Sequence, residues 1–361
     1  VVYFPRKWRH LAPREYSAGG KSDRLVNFVD LAPTLLSLIG QEAPAYMQGN
    51  AFLGEYQTEE PEYIYMFRDR MDERYDLTRS IVDRRYRYTR YYNSNRIWMQ
   101  QLEYLGRAPS MASWEEEFLA GRCNEVQARF FQTKPVEELF DTENDPWEVN
   151  NLASDPAHAE RLRKMRMASL EMAVGMRDAG FIPETERNIR AGDIPIYDYM
   201  RSETVPYEEI LGAAVIASLK NPEHVDRLKA MLRHDDSAIR YWGIQGLLML
   251  GEDARPALAE IGEAAFDDSW NVSVVGAEVL YRLGMKARAI KAYQRLLDCD
   301  QDMIRTLALG SIENFNGSSE EFLDLCRVIP EKYEKPAYQY DVRALTGLLK
   351  KWDVDPATLG I

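Results

Sequence analysis

Glu138-Leu139-Phe140-Asp141-Thr142-Glu143-Asn144-Asp145-Pro146-Trp147-Glu148-Val149-Asn150-Asn151-Leu152-Ala153 is the stretch on which the reading of this chain turns. Val136 to Phe140 has the character of a short strand, and the acidic turn closing at Asp145-Pro146 ends it. A second pair, Asp155-Pro156, supplies a cap and an N1 proline for a long helix. Leu162, Met165, Ser169, Met172 and Met176 fall on one stripe of that helix.

Outward from this point, three more strands come into view. Tyr63 to Arg68 reads as one, while Leu77 to Val82 and Tyr86 to Tyr92 read as a hairpin around Asp83-Arg84-Arg85. A four-stranded antiparallel sheet carrying one long helix is the economical packing, so residues 56–185 are expected to be α+β. Residues 1–55 read as a strand from Val1 to Pro5, a basic loop from Arg6 to Lys21, and a helix capped by Asp23. Val26, Val29, Leu35, Leu36 and Leu38 give that helix its apolar face; Pro33 predicts a kink and Gly40 its end. A Pro- and charge-rich linker is expected at 186–205.

Beyond it, 206–361 is all-α and repetitive. Asp235-Asp236-Ser237 to Gly243 parallels Asp267-Asp268-Ser269 to Gly276, with a weaker copy from Asp300 to Ala308. Gly243, Gly276 and Ala308 lie 33 and 32 residues apart, a period of stacked helix pairs in which a small residue permits close approach. The Asp-Asp pairs read as helix caps rather than metal sites. This region resembles a short HEAT-type α-solenoid.

A formal net charge of −13 excludes a nucleic-acid partner, whose phosphates need a cationic face. With 45% apolar and 29% charged residues and no apolar run near the ~18 residues a membrane helix needs, the composition is that of a globular protein without a membrane span. Cys123, Cys299 and Cys326 form neither a disulfide framework nor a metal spacing, and no two of the four histidines pair for a metal.

Four strings together resemble the sulfatases of the alkaline phosphatase superfamily. They are the quoted tail, the helix Leu25 to Leu36, the loop Gln48 to Leu53, and Phe67-Arg68-Asp69-Arg70-Met71-Asp72-Glu73-Arg74-Tyr75-Asp76-Leu77-Thr78-Arg79. The last looks like heparan N-sulfatase (sulfamidase) relatives. The resemblance implies that 1–55 is the end of an α/β catalytic core and 56–185 the sulfatase C-terminal subdomain. The solenoid lies outside the four strings and resembles an appendage that some bacterial sulfatases carry.

The family's nucleophile is a formylglycine made within Cys-x-Pro-x-Arg, and none of the three cysteines stands in that motif. The resemblance therefore implies that the nucleophile and the carboxylates holding calcium lie in a missing N-terminal catalytic portion. The chain alone is expected to be inactive and to bind no metal, with calcium belonging to the full-length enzyme. A periplasmic or extracellular location is implied by the family alone.

Ten arginines lie between Arg68 and Arg107, yet no lysine occurs between Lys21 and Lys134, a bias that suits bidentate recognition of anions. Arg68, Arg70, Asp72, Glu73 and Arg74 are the candidate substrate-binding residues. The arginines would hold anionic groups of a sulfated glycan such as heparan sulfate, and the carboxylates would accept from its hydroxyl or amine hydrogens. The bland alternative is that Asp69, Asp72, Glu73 and Asp76 pair with these arginines structurally. A phosphonate or phosphate monoester hydrolase of the same superfamily, and a helical scaffold with a protein partner for the solenoid, are the competing functions.

Overall fold

The computed structural model describes every residue except Val1, Arg14, Glu15, Gln101 and 335–338. Along the chain come α1 (Leu31–Leu38), β1 (Ile64–Arg68), β2 (Thr78–Val82) and β3 (Tyr86–Tyr91). Then follow α2 (Glu103–Gly106), α3 (Pro109–Leu119), α4 (Glu125–Ala128), β4 (Glu137–Asp141), α5 (Ala159–Met176), α6 (Glu184–Ala191) and α7 (Ile196–Met200). The remainder is helical: α8 (Tyr207–Ser218), α9 (Val225–Met231), α10 (Ser237–Leu250), α11 (Leu258–Ala264), α12 (Trp270–Arg282), α13 (Lys286–Asp298), α14 (Asp302–Asn314), α15 (Ser319–Cys326), α16 (Val328–Glu331) and α17 (Tyr340–Lys351). No described helix is long and apolar enough to cross a membrane.

Contact density divides the chain into two compact units. The first comprises Val1–Phe67, Arg79–Arg90 and Glu137–Met176; the second comprises Arg68–Thr78, Tyr91–Val136 and Arg177–Ile361.

The first unit is an antiparallel sheet of order β1-β2-β3-β4, with β3 and β4 registered from Tyr86 opposite Asp141 to Arg90 opposite Glu137. The hairpin between β2 and β3 is set by Asp83, whose Oδ1 accepts from the backbone N–H of Arg85 and Tyr86 at 2.8 and 2.6 Å. Ile81, Tyr88 and Leu139 are buried along the strands, and Leu162, Met165, Ser169 and Ala173 along α5. The stripe expected on α5 holds, except that Ala173 is fully buried while Met172 and Met176 stay half-exposed. Glu137 ties helix to sheet, accepting from Arg166 Nε at 2.8 Å, Arg90 Nη1 at 3.0 Å and the Tyr88 hydroxyl at 2.5 Å. In the acidic turn, Asp145 Oδ2 takes the N–H groups of Val149 and Asn150 at 2.8 and 2.7 Å. Asn151 Oδ1 then takes Leu139 N–H at 3.0 Å, folding the turn back onto β4.

The amino-terminal expectations are corrected. No strand forms at Val2 to Pro5, where Val2 and Tyr3 are exposed, and Arg6–Leu11 is a 3₁₀-helix; Val1 lies outside the described residues, as do Arg14 and Glu15 of the expected basic loop. The helix begins later than expected, entered through a 3₁₀ turn, Phe28–Asp30, that Asn27 caps. Asn27 Oδ1 accepts from Phe28 N–H at 2.7 Å, and Asp30 Oδ2 accepts from Asn27 N–H at 2.7 Å. Asp23 instead faces Arg84 at 3.4 Å. Pro33 occupies the first turn of α1, where its missing N–H costs no intrahelical bond, so it does not break the helix.

The helical insert that follows β3 in sequence, α2 to α4, belongs to the second unit and holds stacked rings. Trp114 lies 4.9 Å from Phe130 and Phe118 lies 4.4 Å from Phe131. The stretch expected to be linker contains α6 and α7, with Tyr199 and Met200 buried. From α8 onward the helices form an array: α10 packs on α8, α9 and α12, and α12 packs on α11, α13 and α14. The repeated glycines explain the spacing. A Cβ on Gly243 would come within 2.9 Å of the Leu228 carbonyl, and one on Gly276 within 2.6 Å of Ala265 N. Asp236 caps α10, accepting from Ala238 N–H at 2.7 Å, whereas α12 has no side-chain cap: Asp267 takes Ser269 N–H at 2.8 Å, ahead of the helix, and pairs with Arg240 at 2.8 Å.

Candidate functional site

A tight turn organises the segment between β1 and β2. Met71 and Arg74 exchange both backbone hydrogen bonds at 2.7 and 2.9 Å, and Asp72 takes a left-handed conformation, φ 48°, which short polar side chains tolerate. The turn places Arg70, Glu73 and Arg74 on one wall of an open cavity. Arg68 and Asp72 are not on that wall. Arg68 is half-buried at the end of β1 and has contacts of its own, while Asp72 contributes its carbonyl to Arg70 Nη1 at 2.8 Å.

The three lining residues differ in how far they are committed. Arg70 is chelated by Glu184 at 2.6 and 3.1 Å and lies 5.1 Å from the centre of the Tyr340 ring. Hydrogen bonding to Glu184 raises the Arg70 pKa above its ordinary value and lowers that of Glu184. Arg74 is 8% exposed and donates from Nη1 to the Trp98 carbonyl at 3.1 Å, but its buried Nε has no partner among the described residues. Glu73, also 8% exposed, accepts the Glu103 N–H on Oε1, and its buried Oε2 has no partner among them. Gln100 Nε2, on a third lining residue, is likewise buried and unpartnered.

The opposite wall belongs to α10, α12 and α14, through Tyr241, Gln245, Asn271, Thr306 and Glu313 among others. Behind it runs a buried network. Arg96 donates to both oxygens of Glu278 at 2.7 and 2.6 Å, and Glu278 also accepts from Arg282 at 2.9 Å and Ser311 at 2.9 Å. Burial opposes the charge on Glu278, but the Arg96 charge and hydrogen bonds prevail and hold its pKa low. Gln245 donates to Asn93 at 3.1 Å, and Asn271 to Thr185 at 2.5 Å. Burial pushes the Tyr241 hydroxyl up to about 12, against a lowering hydrogen bond with Tyr75. Glu313 is raised by burial and by the nearby Glu73 charge, although Lys351 at 2.5 Å pulls it down.

Two features of this site change the sequence reading. Arg70 and Arg96, the guanidiniums best placed to meet an anion, are each already chelated by a carboxylate. The helical array supplies half of the walls, which the sequence reading had not foreseen. The signal was present in polar residues at core positions, such as Gln245 within Ile244-Gln245-Gly246-Leu247 and Glu278 within Gly276-Ala277-Glu278-Val279. Among the described residues no three His, Cys, Asp or Glu converge as metal ligands.

Residues 9–107 match the family model described as N-sulphoglucosamine sulphohydrolase, C-terminal. That stretch is similar to a sulfatase C-terminal domain. An ulvan-active sulfatase of Formosa agariphila is 37% identical over 175 residues, covering 48% of this chain and 29% of the relative. A second from the same organism is 30% identical over 175 residues, covering 45% and 31%. A solved structure of a protein with its substrate D-glucosamine-2-N,6-O-disulfate aligns over 42% of this chain and 24% of that one, at 16% identity and a TM-score of 0.27. The chain thus spans under a third of the curated relatives it matches. The family match takes in Arg70, Glu73, Arg74, Arg96 and Gln100, whereas α10, α12 and α14 lie beyond it.

Proposed function

We propose that this chain is the C-terminal part of a sulfatase, a sulfuric ester or sulfamate hydrolase acting on a sulfated glycosaminoglycan such as heparan sulfate. The match of residues 9–107 to the sulphoglucosamine sulphohydrolase C-terminal model carries this reading. The chain contributes substrate contacts and structural support, while a separate portion of the enzyme brings the formylglycine and calcium. The surface of α1 supports that division of labour. Phe28, Leu31, Leu35 and Ile39 are 88, 45, 66 and 69% exposed at helical spacing, a strip that a catalytic core would cover.

The ulvan-active relatives favour a second reading, in which the polysaccharide is ulvan. The HEAT-type array, on this account, is a scaffold that shapes the glycan-binding surface. Its α10, α12 and α14 face is already met across the cavity by the chain's own Arg70, Glu73, Arg74, Arg96 and Gln100, so a protein partner would use another surface.

The test joins this chain to the nucleophile-bearing portion and measures anion release. Sulfate should leave an N-sulfated heparan oligosaccharide fastest. Faster release from ulvan oligosaccharides would select the second reading, and release of phosphate from a monoester in place of sulfate would refute both.

A further inference from the structure

The cavity between the Arg68–Thr78 segment and helices α10, α12 and α14 holds charges that balance rather than accumulate. Arg70 is answered by Glu184 and Arg96 by Glu278, each through two hydrogen bonds. The charge of each guanidinium is thus already balanced by a carboxylate, so an incoming sulfate would meet little net positive charge there. What remains unanswered among the described lining residues is one acceptor and two donors: Glu73 Oε2, Arg74 Nε and Gln100 Nε2. Buried polar groups are almost always paired, and all three orphans belong to residues that line this one cavity.

Sulfate is an acceptor only. It could take a hydrogen bond from Arg74 or Gln100, but it would meet Glu73 as a like charge. A hydroxyl group both accepts and donates, so it satisfies Arg74 and Glu73 together. The rest of the lining suits the same chemistry, with the amides of Asn93, Gln245 and Asn271 and the hydroxyls of Thr185 and Thr306.

We propose that this cavity is a subsite for an unsulfated, hydroxyl-rich sugar unit of the polysaccharide, bound jointly by the sulfatase segment and the helical array. The proposal rests on the sulfated-polysaccharide reading above and departs from the expectation that these arginines grip sulfate. The shared chemistry is a hexopyranose ring carrying adjacent free hydroxyls, which could come from heparan or from ulvan.

Binding to the full chain is measured by calorimetry with four probes: heparan and ulvan tetrasaccharides, each in sulfated and chemically desulfated form. At least one desulfated probe should bind as tightly as its sulfated parent, and its heparan or ulvan backbone identifies the source. Glu73→Gln and Gln100→Ala should each weaken that binding about tenfold, the loss expected for one hydrogen bond to a buried polar group. Amide chemical shifts of Gln245 and Asn271 should move on titration, a readout that survives if Glu73→Gln folds poorly. Tighter, salt-sensitive binding of the sulfated probes with no effect of either substitution would overturn the proposal. So would the absence of binding by every probe, with ordered water alone filling the cavity. Sulfate release by the assembled enzyme is scored separately: release without desulfated-probe binding sinks the subsite alone, and binding without release sinks the sulfatase reading.

Discussion

Arg70 shows why an arginine-rich string is ambiguous before its neighbours are known. Its sequence context, Arg68-Asp69-Arg70-Met71-Asp72-Glu73-Arg74, offered acids close by as partners, but the one that takes it is Glu184, 114 residues away. Removing either member leaves a half-buried charge, so Arg70→Ala and Glu184→Ala should each cost about 1–3 kcal/mol in urea denaturation. The double substitution should cost less than the sum, and strict additivity would show the pair to be uncoupled.

Glu137 gives the pH dependence. Burial pushes its pKa up, but hydrogen bonds from Arg166 and Tyr88 and the Arg90 charge win, leaving it below the ordinary 4.5. A carboxyl lowered in the folded state adds stability above its unfolded pKa and loses it as pH falls through the folded one. Thermal melts between about pH 6 and pH 3 should therefore slope less steeply for Glu137→Gln than for the parent. Identical slopes would remove Glu137 from the account.

At the scale of elements, the strands were legible as short runs containing β-branched and aromatic residues bounded by turn residues. All four expected strands lie within a residue or two of β1 to β4. The amino-terminal strand failed because Val2-Tyr3-Phe4 has no neighbour to pair with among the described residues, and a strand has no stability without one. The insert α2 to α4 and the helices α6 and α7 are short and weakly periodic, and tertiary contacts hold them: Trp114 stacks on Phe130, and Glu186 of α6 accepts from Ser237 at the start of α10 at 2.5 Å. The repeat glycines were readable from spacing alone, and they carry a sharp prediction. Gly243→Ala and Gly276→Ala should destabilise by about 1–3 kcal/mol through overpacking. Gly212→Ala in α8, where nothing lies within 4 Å of a new Cβ, should stabilise by about 0.5–1 kcal/mol instead. Equal effects at all three would mean that the glycines do not set helix spacing.

For the whole molecule, half of the candidate site was visible in advance. Arg70, Glu73 and Arg74 sit in one continuous string with a family resemblance, but Tyr241, Gln245, Asn271 and Glu313 come from helices 160 or more residues downstream. No local pattern links them to the string; only the fold of the second unit does. The apolar strip on α1 has a consequence at this scale as well. Alone, the chain should self-associate through Phe28, Leu35 and Ile39, and Leu35→Asp should render it monodisperse in sedimentation without lowering its melting temperature. The same substitution should weaken docking of the catalytic portion. A monodisperse parent chain would argue that the strip needs no cover.

The most direct test of the account is sulfate release from N-sulfated heparan and ulvan oligosaccharides by the nucleophile-bearing portion, measured with and without this chain. Release that depends on the chain and falls sharply with Leu35→Asp is the predicted result. Release at the same rate without it would contradict the assignment of the chain as a working part of a sulfatase.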